Sequence, residues 1–127
     1  MATGSKSDPA ALVRLLAGEQ VEVRPEQSDC LIAATDRLAE ALGDGNTLGA
    51  LVTTYTAAGL CLANRHPGVR AVLGHDAASV GADAASVGAN LLVVSPAPGL
   101  FRMKRIIVEF CREGPRRCPE VFRKRLG

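Results

Sequence analysis

The sequence predicts an α/β protein: a three-layer, Rossmann-like sandwich whose mostly parallel sheet is covered by helices on both faces. Three observations carry this reading. Short, almost wholly apolar runs at 48–53, 69–73 and 91–94 read as strands buried on both sides. Between them lie segments whose apolar residues recur with helical spacing. The two kinds alternate along 127 residues, a length that makes one domain, 1–127, with right-handed crossovers between parallel strands.

The elements follow in order. Ser7-Asp8-Pro9 supplies a cap and a first-turn proline for a helix over 10–17, closed by Gly18. Val21-Glu22-Val23 alternates as a short strand before Pro25. Ser28-Asp29 caps a longer helix with a stripe of Leu31, Ile32, Leu38, Ala41 and Leu42, stopped by Gly43-Asp44-Gly45-Asn46. After the strand at 48–53 comes a short helix over 57–65, ended by His66-Pro67-Gly68, and then the strand at 69–73. Next, Ala77-Ala78-Ser79-Val80-Gly81-Ala82-Asp83 is repeated as Ala84-Ala85-Ser86-Val87-Gly88-Ala89-Asn90, differing only at its last residue. A seven-residue period puts Val80 and Val87 near one helix face, so a helix ending at Gly88 is expected. The strand at 91–94 closes on Ser95-Pro96, an amphipathic helix fills 100–111, and Pro115 separates it from a basic helix ending near Leu126.

Composition narrows the function. With 47% hydrophobic and 22% charged residues the chain is no disordered segment. Aromatics make up 3% with no Trp, which demands an aliphatic core and argues against a stacking platform for bases or sugars. Cys30, Cys61, Cys111 and Cys118 form no CxxC or Cys/His ligand pattern, so no metal is expected. The first three lie in apolar helical patterns as small buried hydrophobes, and Cys118, after Arg116-Arg117, reads as exposed. The N-terminus lacks the apolar core of a signal peptide and no apolar run approaches ~18 residues, so a cytoplasmic location is expected.

From Arg102 onward nine basic residues face three acidic ones, a tail of +6 against −4 for the rest. Such a run is a solvated face or a surface for phosphate, nucleic acid or an acidic partner. Arg112, Arg116, Arg117, Arg123, Lys124 and Arg125 are accompanied by no nucleic-acid motif and no aromatic interleaving. Nucleic acid is therefore not the expected partner, and wrapping across a dimer partner is the simpler use.

In open α/β sheets ligands bind at the C-terminal strand ends. Those ends supply Thr53-Thr54-Tyr55-Thr56, Gly74-His75-Asp76 and Ser95-Pro96. Apart from the tyrosine phenol, the first has no Cys, His, carboxylate or Lys for acid–base work.

Ala63-Asn64-Arg65-His66-Pro67-Gly68-Val69-Arg70-Ala71-Val72-Leu73, followed by His75-Asp76, resembles the "AANK-xPGIRAAL-xHD" stretch of the ribose-5-phosphate isomerase B and galactose-6-phosphate isomerase family. Ala89-Asn90-Leu91-Leu92-Val93-Val94 is similar to that family's "AN-x-L-x-LG" strand, and Glu113-Gly114-Pro115-Arg116-Arg117 to its "EGGRH" segment. The resemblance covers 48–117 well and the first half loosely. It implies metal-free, cofactor-free aldose–ketose isomerisation of a sugar phosphate. A base takes the proton beside the carbonyl, backbone N–H groups of a glycine-rich turn stabilise the enediolate, a His opens the ring and Arg side chains hold the phosphate. It also implies sites formed between two subunits, hence a homodimer or higher oligomer, with the C-terminal helix reaching the partner.

Carried over by position, the machinery is depleted. Thr53 stands where the family's usual catalytic Cys stands, and an unassisted Thr hydroxyl is too weak an acid to serve as base. Gly59 occupies the position of an alternative Glu. The glycine turn is Thr54-Tyr55-Thr56-Ala57-Ala58, and the duplication puts Ser86 and Val87 where a ring-opening His and a phosphate-binding Arg are expected. The "DHAG" segment survives only as Lys6-Ser7-Asp8-Pro9, after a first strand shortened to 1–4 or lost. Thr54, Tyr55, Thr56, Asn64, Arg70 and Arg116 remain as substrate-binding candidates, and His75 and Asp76 as catalytic ones. The turn also resembles the "D-A-Y-G-V-G" of the A subunit of galactose-6-phosphate isomerase, which lacks the Cys and carries a Tyr where Tyr55 falls. Two functions follow from these residues. One is a non-catalytic family member, as sensor or as subunit of a hetero-oligomer with a catalytic paralogue. The other is an isomerase with a rearranged site, in which His75 is the base, oriented by Asp76.

Overall fold

The computed structural model describes residues 2–3, 26–27, 31–44, 48–112 and 118–126. Its five strands are β1 (Ala2–Thr3), β2 (Glu26–Gln27), β3 (Gly49–Val52), β4 (Ala71–Leu73) and β5 (Leu91–Val94). They form one sheet in the order β2-β1-β3-β5-β4, and every described pairing is parallel. The first strand is thus retained in the sheet, two residues long, with Ala2 opposite Leu51 on one side and Glu26 on the other. The expected helix over 10–17 and strand over 21–23 lie outside the described residues. Strand β2 was not foreseen, since Glu26-Gln27 shows no apolar pattern.

Period-two alternation divides the core. Ala50, Val52, Leu92 and Val94 face one layer, and Leu51, Leu91 and Val93 the other, all buried. The first layer holds α3 (Val80–Val87) and α4 (Leu100–Cys111). Helix α4 buries Met103, Ile106, Ile107 and Phe110, spaced i, i+3, i+4, i+7. Each such side chain contributes about 1.5–3 kcal/mol. The second layer holds α1 (Leu31–Ala41) and α2 (Thr56–Asn64). A further helix, α5 (Glu120–Leu126), ends the chain.

Several details depart from expectation. The buried face of α1 is Ala34, Thr35 and Leu38, whereas Ile32 is 52% exposed and Ala41 is exposed as well. Ala34 and Thr35 are small enough to let the helix lie close to the sheet, and the Thr35 hydroxyl donates to the Ile32 carbonyl at 2.8 Å. Cys61 is exposed, because Gly59 and Ala63 take the inner face of α2. Cys118 is half-buried rather than exposed, Cys111 is half-buried, and Cys30 lies outside the described residues. In the duplicated segment the helix takes the second half of the first copy and the first half of the second. Val80 is fully buried, Val87 half-buried, and Gly88 closes α3 at φ 62° in the left-handed region.

Candidate functional site

The chain leaves β1 toward β2 on one side and leaves β3 toward β4 on the other. The order therefore reverses between the neighbours β1 and β3. That reversal opens the crevice in which α/β sheets bind ligands, above the paired ends Thr3 and Val52. Thr53-Thr54-Tyr55-Thr56 forms one wall.

Thr53 continues the sheet: its N–H donates to the Val94 carbonyl at 3.0 Å, and the residue is fully buried. Its hydroxyl accepts the Tyr55 N–H at 3.0 Å, a local turn that releases the chain into α2. The side chain at the expected base position is thus engaged in shaping the turn. Helix α2 starts without a side-chain cap, so the N–H groups of its first turn point out of the helix end with its positive dipole. Thr54 and Tyr55 are exposed, Tyr55 at 68%, and Thr56 is half-buried. One strand over, the Ser95 hydroxyl accepts the Ala97 N–H at 3.1 Å and turns the chain in the same way. Nothing in the sequence alone paired Ser95 with Thr53; their kinship lies in the adjacent ends of β3 and β5.

Gly59, at the position of the alternative Glu, faces the sheet. A Cβ there would stand 3.1 Å from Leu51 Cδ2 and 3.4 Å from Thr53 Cγ2. A longer side chain has no room, so this glycine sets the approach of α2 to β3 and β5.

His75 and Asp76 follow β4, the edge strand, with β5 between it and β3. Two strand spacings, roughly 10 Å, separate the ends of β3 and β4. Both residues are exposed. The Asp76 carboxylate accepts the Ser79 N–H at 2.7 Å, and its carbonyl accepts the Val80 N–H at 3.2 Å. These bonds to Ser79 hold the Asp76 carboxyl below its ordinary value, with the neighbouring His75 adding a smaller effect in the same direction. Asp76 thus organises the turn into α3.

Asn64 and Arg70 stand at the other end of the sheet, where α2 ends and β4 begins. The Asn64 amide brackets the backbone of Ala71, donating to its carbonyl at 3.1 Å and accepting its N–H at 2.8 Å. Asn90 makes the matching tie, accepting the Arg70 N–H at 2.9 Å and donating to the Gly68 carbonyl at 2.8 Å. Beside them the Asp36 carboxylate lies 2.9 Å from the buried His66 Nε2. The structure thus brings Thr53, Thr54, Tyr55 and Thr56 together, sets His75 and Asp76 along the same rim, and places Asn64 and Arg70 at the opposite end. Arg116 lies outside the described residues. Among the described residues no three His, Cys, Asp or Glu side chains gather as metal ligands, and no helix is long and apolar enough to cross a membrane.

No protein-family model and no curated protein sequence matches the chain. Solved structures do. Type B ribose 5-phosphate isomerase from Trypanosoma cruzi superposes with a TM-score of 0.74 at 23% identity, over 98% of this chain and 90% of that one. Ribose-5-phosphate isomerase B from Mycoplasma genitalium, with bound ribulose-5-phosphate, gives a TM-score of 0.76 at 16% identity, over 98% and 88%. Superposition over 98% of its length shows that this chain has the fold of the type B ribose-5-phosphate isomerases.

Proposed function

We propose that the chain is a sugar-phosphate-binding protein on this isomerase fold that does not itself isomerise its ligand, acting in the cytoplasm as a sensor or as a non-catalytic subunit. The observation that carries the reading is the β3–α2 turn. Its threonine at the base position is buried and hydrogen-bonded to Tyr55 N–H, while the start of α2 has no side-chain cap. An uncapped helix start at the crevice suits a phosphate, and a similar structure holds ribulose-5-phosphate. Proton abstraction needs a carboxylate, imidazole or thiolate within reach of the substrate carbon. Among the described residues of the loops after β3 and β5, Thr53–Thr56 and 95–99, there is none.

The reading is tested by assaying ribose 5-phosphate, allose 6-phosphate and galactose 6-phosphate, together with thermal melts in ribulose 5-phosphate. The expected result is no turnover and a melting point raised by several degrees. Ligand at 100-fold over Kd adds about 2.7 kcal/mol. Turnover that vanishes in His75→Ala overturns the reading in favour of a rearranged isomerase, and melts unmoved by any sugar phosphate overturn the binding role.

A further inference from the structure

Strand β4 is three residues long and forms one edge of the described sheet. Alternate residues of a strand turn their N–H and C=O to opposite sides. The Arg70 carbonyl accepts the Leu91 N–H at 3.3 Å, and the Gly74 N–H donates to the Val93 carbonyl at 2.8 Å. Residues 70, 72 and 74 therefore turn toward β5, with Val72 opposite Leu92, while Ala71 and Leu73 turn toward the open edge. Such an edge is a template for another strand unless something blocks it. Ala71-Val72-Leu73 is wholly apolar and carries neither a charge nor a proline, and Leu73 is 40% exposed.

The Asn64 side chain occupies the first of the two outward positions. From the last residue of α2 it donates to the Ala71 carbonyl at 3.1 Å and accepts the Ala71 N–H at 2.8 Å. A residue of a neighbouring strand would make the same paired exchange; here a primary amide makes it. A side chain ends after one such exchange, so it presents no new edge of its own. Asn90 holds the start of β4 from the other side, through the Arg70 N–H and the Gly68 carbonyl. The strand is thereby fixed within reach of α2.

We propose that the Asn64 amide closes the β4 edge in place of a further strand and keeps it from pairing with β4 of a second copy. The same strand is the natural partner, because two copies of one edge pair antiparallel about a two-fold axis. The inference goes beyond the reading of the crevice and does not depend on what binds there.

Hydrogen exchange followed by NMR reads the two outward N–H groups separately. In the wild type the Ala71 N–H is expected to exchange slowly and the Leu73 N–H fast. Asn64→Ala is expected to speed exchange at Ala71 by about tenfold or more. As that variant is concentrated, its mass by sedimentation should rise above the wild type's and its Leu73 N–H should become protected. Asn64→Asp keeps an acceptor for the Ala71 N–H and sets a charge on the edge. It is expected to retain slow exchange at Ala71 and the wild-type mass. Leu51→Ala, destabilised from the core, is also expected to keep the wild-type mass. Exchange at Ala71 unchanged by Asn64→Ala, or a concentrated Asn64→Ala that keeps the wild-type mass, would overturn the proposal. So would association of Leu51→Ala or Asn64→Asp as strong as that of Asn64→Ala, which would trace it to lost stability rather than to an opened edge.

Discussion

Thr53 and Asn64 show what a polar residue does when its hydrogen bonds are already made. The Thr53 hydroxyl receives a backbone N–H two residues on, and the Asn64 amide satisfies both backbone polar groups of Ala71. Removing such a group strands its partners, at about 1–3 kcal/mol. Asn64→Ala is accordingly expected to lower unfolding free energy by about 1–3 kcal/mol in urea, with sugar-phosphate binding unchanged because the residue lies at the far end of the sheet. Asp76 adds a pH signature. Its folded-state value is depressed by the bonds to Ser79, so its contribution is present above the unfolded value and lost as pH falls through the folded one. Asp76→Asn keeps an acceptor for the Ser79 N–H but cannot titrate. Its melting point is expected to fall less steeply than the wild type's on acidification below the ordinary 3.8.

At the level of elements, the sequence identified strands and helices wherever burial is two-sided or strongly periodic. Residues 91–94 and 100–111 were legible to the residue, since four apolar residues in a row and an i, i+3, i+4, i+7 stripe admit little else. Helix α1 was legible in extent and misread in orientation. Its stripe holds Ala and Thr at two inward positions, and hydrophobicity alone assigned Ile32 to the core instead. Close approach was invisible too. Gly74 donates to the Val93 carbonyl at 2.8 Å, and a Cβ there would meet Ile106 Cγ2 at 2.6 Å and Leu92 Cδ1 at 2.8 Å. Ile106 is branched at Cβ and cannot swing clear, so α4 or β4 must shift. Gly74→Ala is expected to destabilise by about 1–3 kcal/mol, measured as a lowered denaturation midpoint at unchanged slope.

For the whole molecule, the two hydrophobic layers share one sheet, and the adjacent strands β3 and β5 each carry buried side chains of both. We expect a single unfolding unit. Leu51→Ala and Leu92→Ala, on opposite faces, should each cost about 2–5 kcal/mol and leave one coincident transition by circular dichroism and calorimetry. Two separated transitions would divide the chain into independent halves.

The sequence by itself determined the class of fold, the crevice end of the sheet and the absence of a carboxylate, His or Cys from Thr53–Thr56 after β3. These follow from local pattern and from residue identity. Only the tertiary structure decided which polar residues share an end of the sheet. Asn64 and Arg70 stand close in sequence to His75 and Asp76, yet β4 runs between them from one end of the sheet to the other. Sequence distance reports neither which end of a strand a residue occupies nor whether its hydrogen bonds are already made. That is why Thr53, a vacancy when read as a letter, is a filled structural position in the fold.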